Sequence, residues 1–201
     1  MAVTSAYATA VEYRGTIGKT DQGDDDHILN DLTAVSRYIE GKLGRFFNQD
    51  AEDVARVYVP PASVSAIWID DLSAAPTTVK LDTDGDNTFS ATLESTDYDL
   101  LPLNAAKGPE PRPYTRIGMT AWGDYGCFVR GQRVEITGKW GWPAVPGAIK
   151  QATIHLTAIL RLESPRATRR IPELGEAIEA SPDAQHIIRQ LTDQYLRVRY
   201  V

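Results

Sequence analysis

Cysteine, histidine, long apolar runs and any cationic excess are all scarce in this sequence. Its one cysteine, Cys127, has no partner within the chain, so an intramolecular disulfide is excluded. The three histidines, His27, His155 and His186, are far apart and give no metal-ligand spacing, which removes a structural zinc site as well. No run of about 18 apolar residues occurs, so a membrane-spanning helix has no support. The first ten residues end in small side chains but carry neither a basic nor an apolar stretch; no export signal is readable, and synthesis in a cytoplasm is expected. Cations number 21 against 27 carboxylates, for a net charge of −6. Broad coating of nucleic acid, which needs several Lys or Arg to displace phosphate counterions, does not fit that balance.

What is present is ordinary globular composition. The 201 residues, 42% hydrophobic and 24% charged, suffice for a core of one domain, or of one domain with a sizeable insertion. The charge is uneven: residues 161–201 hold seven Arg against six acids, with Arg161, Arg166, Arg169 and Arg170 bunched together.

Thr9 and Glu12 have capping-box spacing, which predicts a short helix to about Arg14, stopped near Gly15 or Gly18. Ile28, Leu32, Val35, Ile39, Leu43 and Phe46 then recur at helical intervals as one stripe. Asp24, Asp25 and Asp26 stand at its start, where carboxylates satisfy free N–H groups and favour the positive end of the helix dipole. From about Val54 the pattern turns into short β-rich runs at 56–59, 64–69, 77–81, 88–93, 98–101 and 133–137, divided by Pro, Gly and Asp, which predicts a compact antiparallel sheet. Pro102, Gly108, Pro109, Pro111 and Pro113 make 101–114 a long exposed loop. Pro143 and Pro146 open a second strong helix, with Val145, Ile149, Ala152, Leu156 and Ile159 or Leu160 on its stripe, ending at Ser164-Pro165 and packing on the 24–46 helix. Ser181 and Pro182 start a last helix whose stripe is Ala184, Ile187, Ile188, Leu191, Tyr195 and Val198. The expected class is α+β: a bundle of three to four helices, with an antiparallel sheet inserted between the N-terminal and central helices. Its parts are a helical 1–53, a β-rich 54–139, and a helical 140–201 completing the bundle.

Chemistry-bearing patterns are few. Gly18-Lys19-Thr20 lacks the glycine a phosphate loop needs at position 13, where Tyr13 stands, and no strand precedes it. Asp82, Asp84 and Asp86 alternate like the first half of a calcium loop, but Asn87 and Leu93 occupy the places of the required Gly and Glu; a polar turn between strands is preferred. Asp70-Asp71 and Asp97/Asp99 read as solvated loop carboxylates, no serine sits in a nucleophile elbow, and Cys127 has no identifiable His partner. Nothing argues for catalysis, and no cofactor is called for. Trp140-Gly141-Trp142-Pro143 is the most unusual string. Two large aromatics around a glycine suit a buried sheet-to-helix junction, with an exposed partner hot spot as the alternative. The bunched arginines fit a solvated helix end, or else a contact to phosphate or an acidic partner. The terminal 195–201 mixes aromatics, aliphatics and Arg, a composition that suits a docking tail or merely finishes the last helix.

The layout resembles the head-to-tail connector, or adaptor, proteins of tailed bacteriophages. The strings that carry it are Asp31-Leu-Thr-Ala-Val-Ser-Arg-Tyr-Ile39 running into Leu43-Gly-Arg-Phe-Phe47, and Gly138-Lys-Trp-Gly-Trp-Pro-Ala-Val-Pro-Gly-Ala-Ile-Lys-Gln-Ala152 running into Ser164-Pro165. They fall where the family has its long N-terminal helix and the turn into its central helix, with a β insertion of variable size between. The resemblance spans about Tyr7 to Pro165. It implies a non-enzymatic virion subunit at the head–tail junction: a ring of twelve copies below the portal protein, lengthening the channel through which packaged DNA slides and offering a platform for the stopper or tail-completion protein. By position it implies portal docking for Tyr195, Arg197, Arg199 and Tyr200. Another neck or tail-completion subunit, a β-rich ligand or calcium module, and a hydrolase using loop carboxylates are the alternatives.

Overall fold

The computed structural model describes residues 6–121, 123–163 and 171–197. The chain divides into two compact units, a β unit of residues 48–144 and a helical unit formed by 4–47 together with 145–201. Among the described residues there are five α-helices and two antiparallel sheets, an α+β arrangement.

The helical unit begins with α1 (Ala10–Ile17). Its start is fixed by the reciprocal cap, in which the Glu12 N–H donates to Thr9 Oγ1 at 3.2 Å and the Thr9 N–H donates to the Glu12 carboxylate at 2.9 Å. Gly18, at φ 70°, ends it. Helix α2 (Asp25–Leu43) carries the stripe Ile28, Leu32, Val35, Ile39 and Leu43, all buried. Gly44 stops it at φ 61°, its N–H donating to the Glu40 carbonyl. Beyond Gly44 the helical period no longer sets which side chains turn inward, and Phe47, not Phe46, takes the buried place. Helix α3 (Gly147–Glu163) packs on α2, with Ile154 joining Tyr13, Ile28 and Leu32 in one core. Its buried face is wider than the predicted stripe. Thr153 and Thr157 are fully buried, and the Thr153 hydroxyl donates to the Ile149 carbonyl.

Helix α4 (Ile171–Ala180) has no counterpart among the predicted elements; its Pro172 is compatible with a helix's first turn. Helix α5 (Pro182–Tyr195) starts as expected at Ser181, whose side chain accepts from the Ala184 N–H. The expected helix end at Ser164-Pro165 lies outside the described residues.

The aspartates stand at the start of α2 as expected, Asp25 and Asp26 in its first turn, but not as side-chain caps. Asp24 makes no side-chain cap bond; with Asp31 it pairs with Arg161 on α3, the latter at 2.6 Å, while Asp25 pairs with the buried Arg14 at 3.1 Å. Arg161 thus leaves the bunched arginines as a tie between two helices. Arg166, Arg169 and Arg170 lie outside the described residues.

The β unit holds two sheets where one was expected. One has the order β1 (Val54–Tyr58), β7 (Val134–Gly138), β3 (Thr78–Leu81), β4 (Ala91–Thr92); the other has β2 (Ala66–Leu72), β6 (Tyr114–Met119), β5 (Tyr98–Leu101). All pairs are antiparallel. Strand β6 had no counterpart among the predicted runs, and it is the central strand of its sheet. The predicted 88–93 run shrinks to two strand residues, and Val64 makes an isolated bridge to Phe128. Ile67, Ile69, Leu81, Ile117, Phe128, Val134, Ile136 and Trp140 belong to a single apolar core.

Candidate functional site

The Trp-Gly-Trp-Pro string lies within the β unit. Trp140 is 1% exposed; its indole N–H donates to the Val54 carbonyl at 2.7 Å, and the Arg56 guanidinium lies 4.5 Å from the ring centre. Trp142 is buried too, its N–H donating to Asp71 Oδ2 at 3.2 Å. Gly141 is required by contact. A Cβ there would lie 1.8 Å from the Asn48 carbonyl oxygen, and its φ is 100°. Pro143, half-buried, comes directly after. These side chains fill a core and are not offered to a partner.

The acidic turn is built around its own backbone. Asp82 is 2% exposed, and its two carboxylate oxygens accept from the N–H groups of Gly85 at 2.7 Å and Asn87 at 3.0 Å. Asp86 accepts from the Thr88 N–H at 2.7 Å, and Asp84 from the Thr83 hydroxyl. Among the described residues no three His, Cys, Asp or Glu side chains are grouped so as to hold a metal ion. Of the other candidate acids, Asp70 and Asp71 stand on β2 and Asp99 on β5, and Asp71 and Asp97 are buried, a correction to the expected solvated loop carboxylates. Asp70 holds Arg56 at 2.8 Å and accepts from the Tyr58 hydroxyl, whose pKa burial pushes up, while Asp97 is buried and accepts from the Glu94 N–H.

At the C-terminal end, Tyr195 is buried. Its ring meets Phe47 edge-to-face at 5.7 Å, and Phe47 meets Tyr7 in the same way. Tyr195 therefore belongs to the helical core, a correction to its expected place on a docking tail. The Arg197 N–H donates to the Leu43 carbonyl at 3.1 Å. Arg199 and Tyr200 lie outside the described residues. Beside this aromatic row, the Tyr7 hydroxyl donates to Glu40 and accepts from the Phe47 N–H, and Arg37 pairs with Glu40 at 2.9 Å. Burial raises the Glu40 carboxyl above the usual carboxylate range, against the hydrogen bond from Tyr7 and the charge of Arg37.

The fold is similar to that of chains from gene transfer agent particles. One such chain comes from the neck of an empty particle computed with C6 symmetry, with TM-score 0.54, 20% identity, and coverage of 96% of this chain and 90% of that one. Two others come from the native virion and from the native neck computed with C12 symmetry, each with TM-score 0.53, the same identity and the same coverage. No protein-family model matches the sequence, and no curated protein matches it. Among the described residues no helix is long and apolar enough to cross a membrane.

Two surfaces escaped the sequence. On β2, Trp68 is 47% exposed between buried Ile67 and Ile69, with the Arg116 guanidinium of β6 at 4.9 Å from its ring. Along β1, Val57 and Val59 are half exposed. Alternation in Ala66-Ile-Trp-Ile69 was the available signal for Trp68, but Arg116 needed strand β6. The charge also divides by unit: the β unit has fourteen acids against eight bases, so it carries the whole net −6, and the helical unit is neutral.

Proposed function

We propose that this chain is a structural subunit of a phage-type neck, a ring below the portal that lengthens the DNA channel and joins the head to the stopper or tail. The observation that carries this is the fold shared over 96% of the chain with a chain from a gene transfer agent neck. Twelve copies is the preferred number, by analogy with the symmetry of the native neck. No enzymatic role is proposed. Among the candidate carboxylates, Asp82 and Asp97 are spent on backbone N–H groups and Asp70 on an ion pair with Arg56. The acidic β unit suits a channel through which DNA slides without sequence-specific binding, since a basic lining would hold phosphates at each step. Portal docking is assigned to the chain beyond Tyr195, to Arg197, Arg199 and Tyr200, by position. The tail side of the ring would receive the stopper or tail-completion protein.

Sedimentation of the protein with and without the portal ring, at physiological salt, tests this. A stoichiometric complex is expected. A chain ending at Arg197 should keep its unfolding transition and lose portal binding. No complex over a wide concentration range removes the portal as partner and transfers the role to another neck or tail-completion subunit.

A further inference from the structure

We propose that neighbouring copies of this chain meet through two unlike faces of the β unit: the Trp68–Arg116 face of β2 and β6 in one copy, against the 53–59 face of β1 in the next. The proposal rests on the ring assigned above and names its subunit contact.

The first face is a cation on an apolar floor. Trp68 projects opposite to the buried Ile67 and Ile69, so it lies on the outer side of its sheet. Its Cα partner across the strands is Arg116, and among the described residues no carboxylate pairs with that guanidinium. Beside them Gly118 faces Ala66, and a Cβ at Gly118 would touch Ala66 Cβ and Leu101 Cδ1, which leaves low apolar ground next to the indole. Exposed Trp and Arg together are the side chains that most often dominate protein contacts.

The second face is complementary to the first. Arg56 and Tyr58 turn inward to Trp140 and Asp70, so alternation sends Asp53, Ala55, Val57 and Val59 to the other side. Val57 is 50% and Val59 55% exposed, and among the described residues β1 is an edge strand, paired with β7 alone. The stripe is apolar with a carboxylate at one end, Asp53, which accepts from the Thr77 hydroxyl but meets no cation among the described residues, beside the exposed Glu52. Glu135, opposite Val57, is already paired with Lys80.

A second copy is the occupant because one unit carries both complements. Two units of net −6 repel, so their contact needs a guanidinium set against a carboxylate, and Arg116 supplies it. Since the two faces differ, the contact is head-to-tail, the kind that builds a ring when the rotation between copies closes; a twofold dimer would bring like faces together.

The test uses the full chain with the portal ring, read by sedimentation, with tryptophan fluorescence confirming the fold of each variant. Arg116→Glu and Asp53→Arg should each shift the protein from ring to monomer, and the double variant should restore the ring. In a Cys127→Ser background, chains carrying Ala55→Cys and Ala66→Cys should form a mixed disulfide when combined, and neither should pair with itself. Rings that survive both Arg116→Glu and Trp68→Ala, or that give no mixed disulfide, overturn this contact while the ring stands. A wild-type chain that forms no ring overturns both.

Discussion

Replacing Gly141 with alanine tests how the Trp-Gly-Trp string is held. The added Cβ would lie 1.8 Å from the Asn48 carbonyl oxygen and 2.8 Å from its carbon, far inside van der Waals contact. Neither side is free to yield. The Gly141 N–H is bonded to the Asp71 carbonyl at 2.7 Å, and the Asp50 N–H to the Trp140 carbonyl at 2.8 Å. Relief means breaking at least one of these bonds and shifting the buried Trp140, with a φ of 100° to strain the new side chain besides. The expected loss is about 3 kcal/mol or more. Gly44→Ala is the internal control. Its φ is 61° but nothing lies within 4 Å of the added Cβ, so its cost is that of the left-handed backbone alone, about 1 kcal/mol. All four tryptophans fall in the β unit, so urea unfolding followed by fluorescence reports on that unit, and the helical signal at 222 nm on the other. With a denaturant slope of about 2 kcal/mol per molar, Gly141→Ala should lower the fluorescence midpoint by roughly 1.5 M, and Gly44→Ala the 222 nm midpoint by roughly 0.5 M. Equal shifts would refute the reasoning, because they would mean that the Asn48 carbonyl moves aside without cost.

Two further outcomes concern the helical unit. Tyr195→Ala should cost about 3 kcal/mol at 222 nm, since a buried aromatic ring is lost from the row with Phe47 and Tyr7; unchanged stability would return Tyr195 to the docking tail. Burial raises the pKa of Glu40, so its contribution to stability is fully present below its ordinary value of 4.5 and is lost as pH rises through the raised value. The stability of wild type relative to Glu40→Gln should therefore fall as pH climbs above about 4.5 and then level off; a difference that stays flat from pH 4 to 8 would refute it.

Helix α2 shows what periodicity can and cannot give. Five of its six predicted stripe residues are buried, because within a helix every fourth or third position returns to one face. The sixth, Phe46, fails because Gly44 has already turned the chain, and it is a backbone event that decides for Phe47. The aspartates at 24–26 likewise look like caps when only local sequence is seen. Their partners, Arg14 and Arg161, come from two other helices, and the ion pair of Arg161 bridges more than a hundred residues of chain. Helix α4, only ten residues long with a proline and a glycine in it, carries too short a periodic pattern to stand out from local sequence.

The β unit was harder to read, and the loss of one strand explains why. Runs were found wherever β-branched residues alternate between turn residues, but the prolines at 102–113 drew the loop boundary up to Tyr114 and hid Tyr114–Met119 behind it. That strand joins β2 to β5, so without it the unit collapses into one sheet and Arg116 is merely an arginine after a loop. With it, Arg116 stands across from Trp68, and an indole that alternation alone would turn to solvent gains a cation on its face. The string Trp140-Gly-Trp142 is the rarest in the sequence, yet its rings are buried and bonded to backbone and Asp71, so it holds the unit together. Rarity marks the residues that need a particular neighbour, whether that neighbour is solvent, a partner or the same fold. Only the pairing of strands separates these cases, which is why the surface available for assembly emerged from an ordinary alternating strand and not from the most unusual letters in the chain.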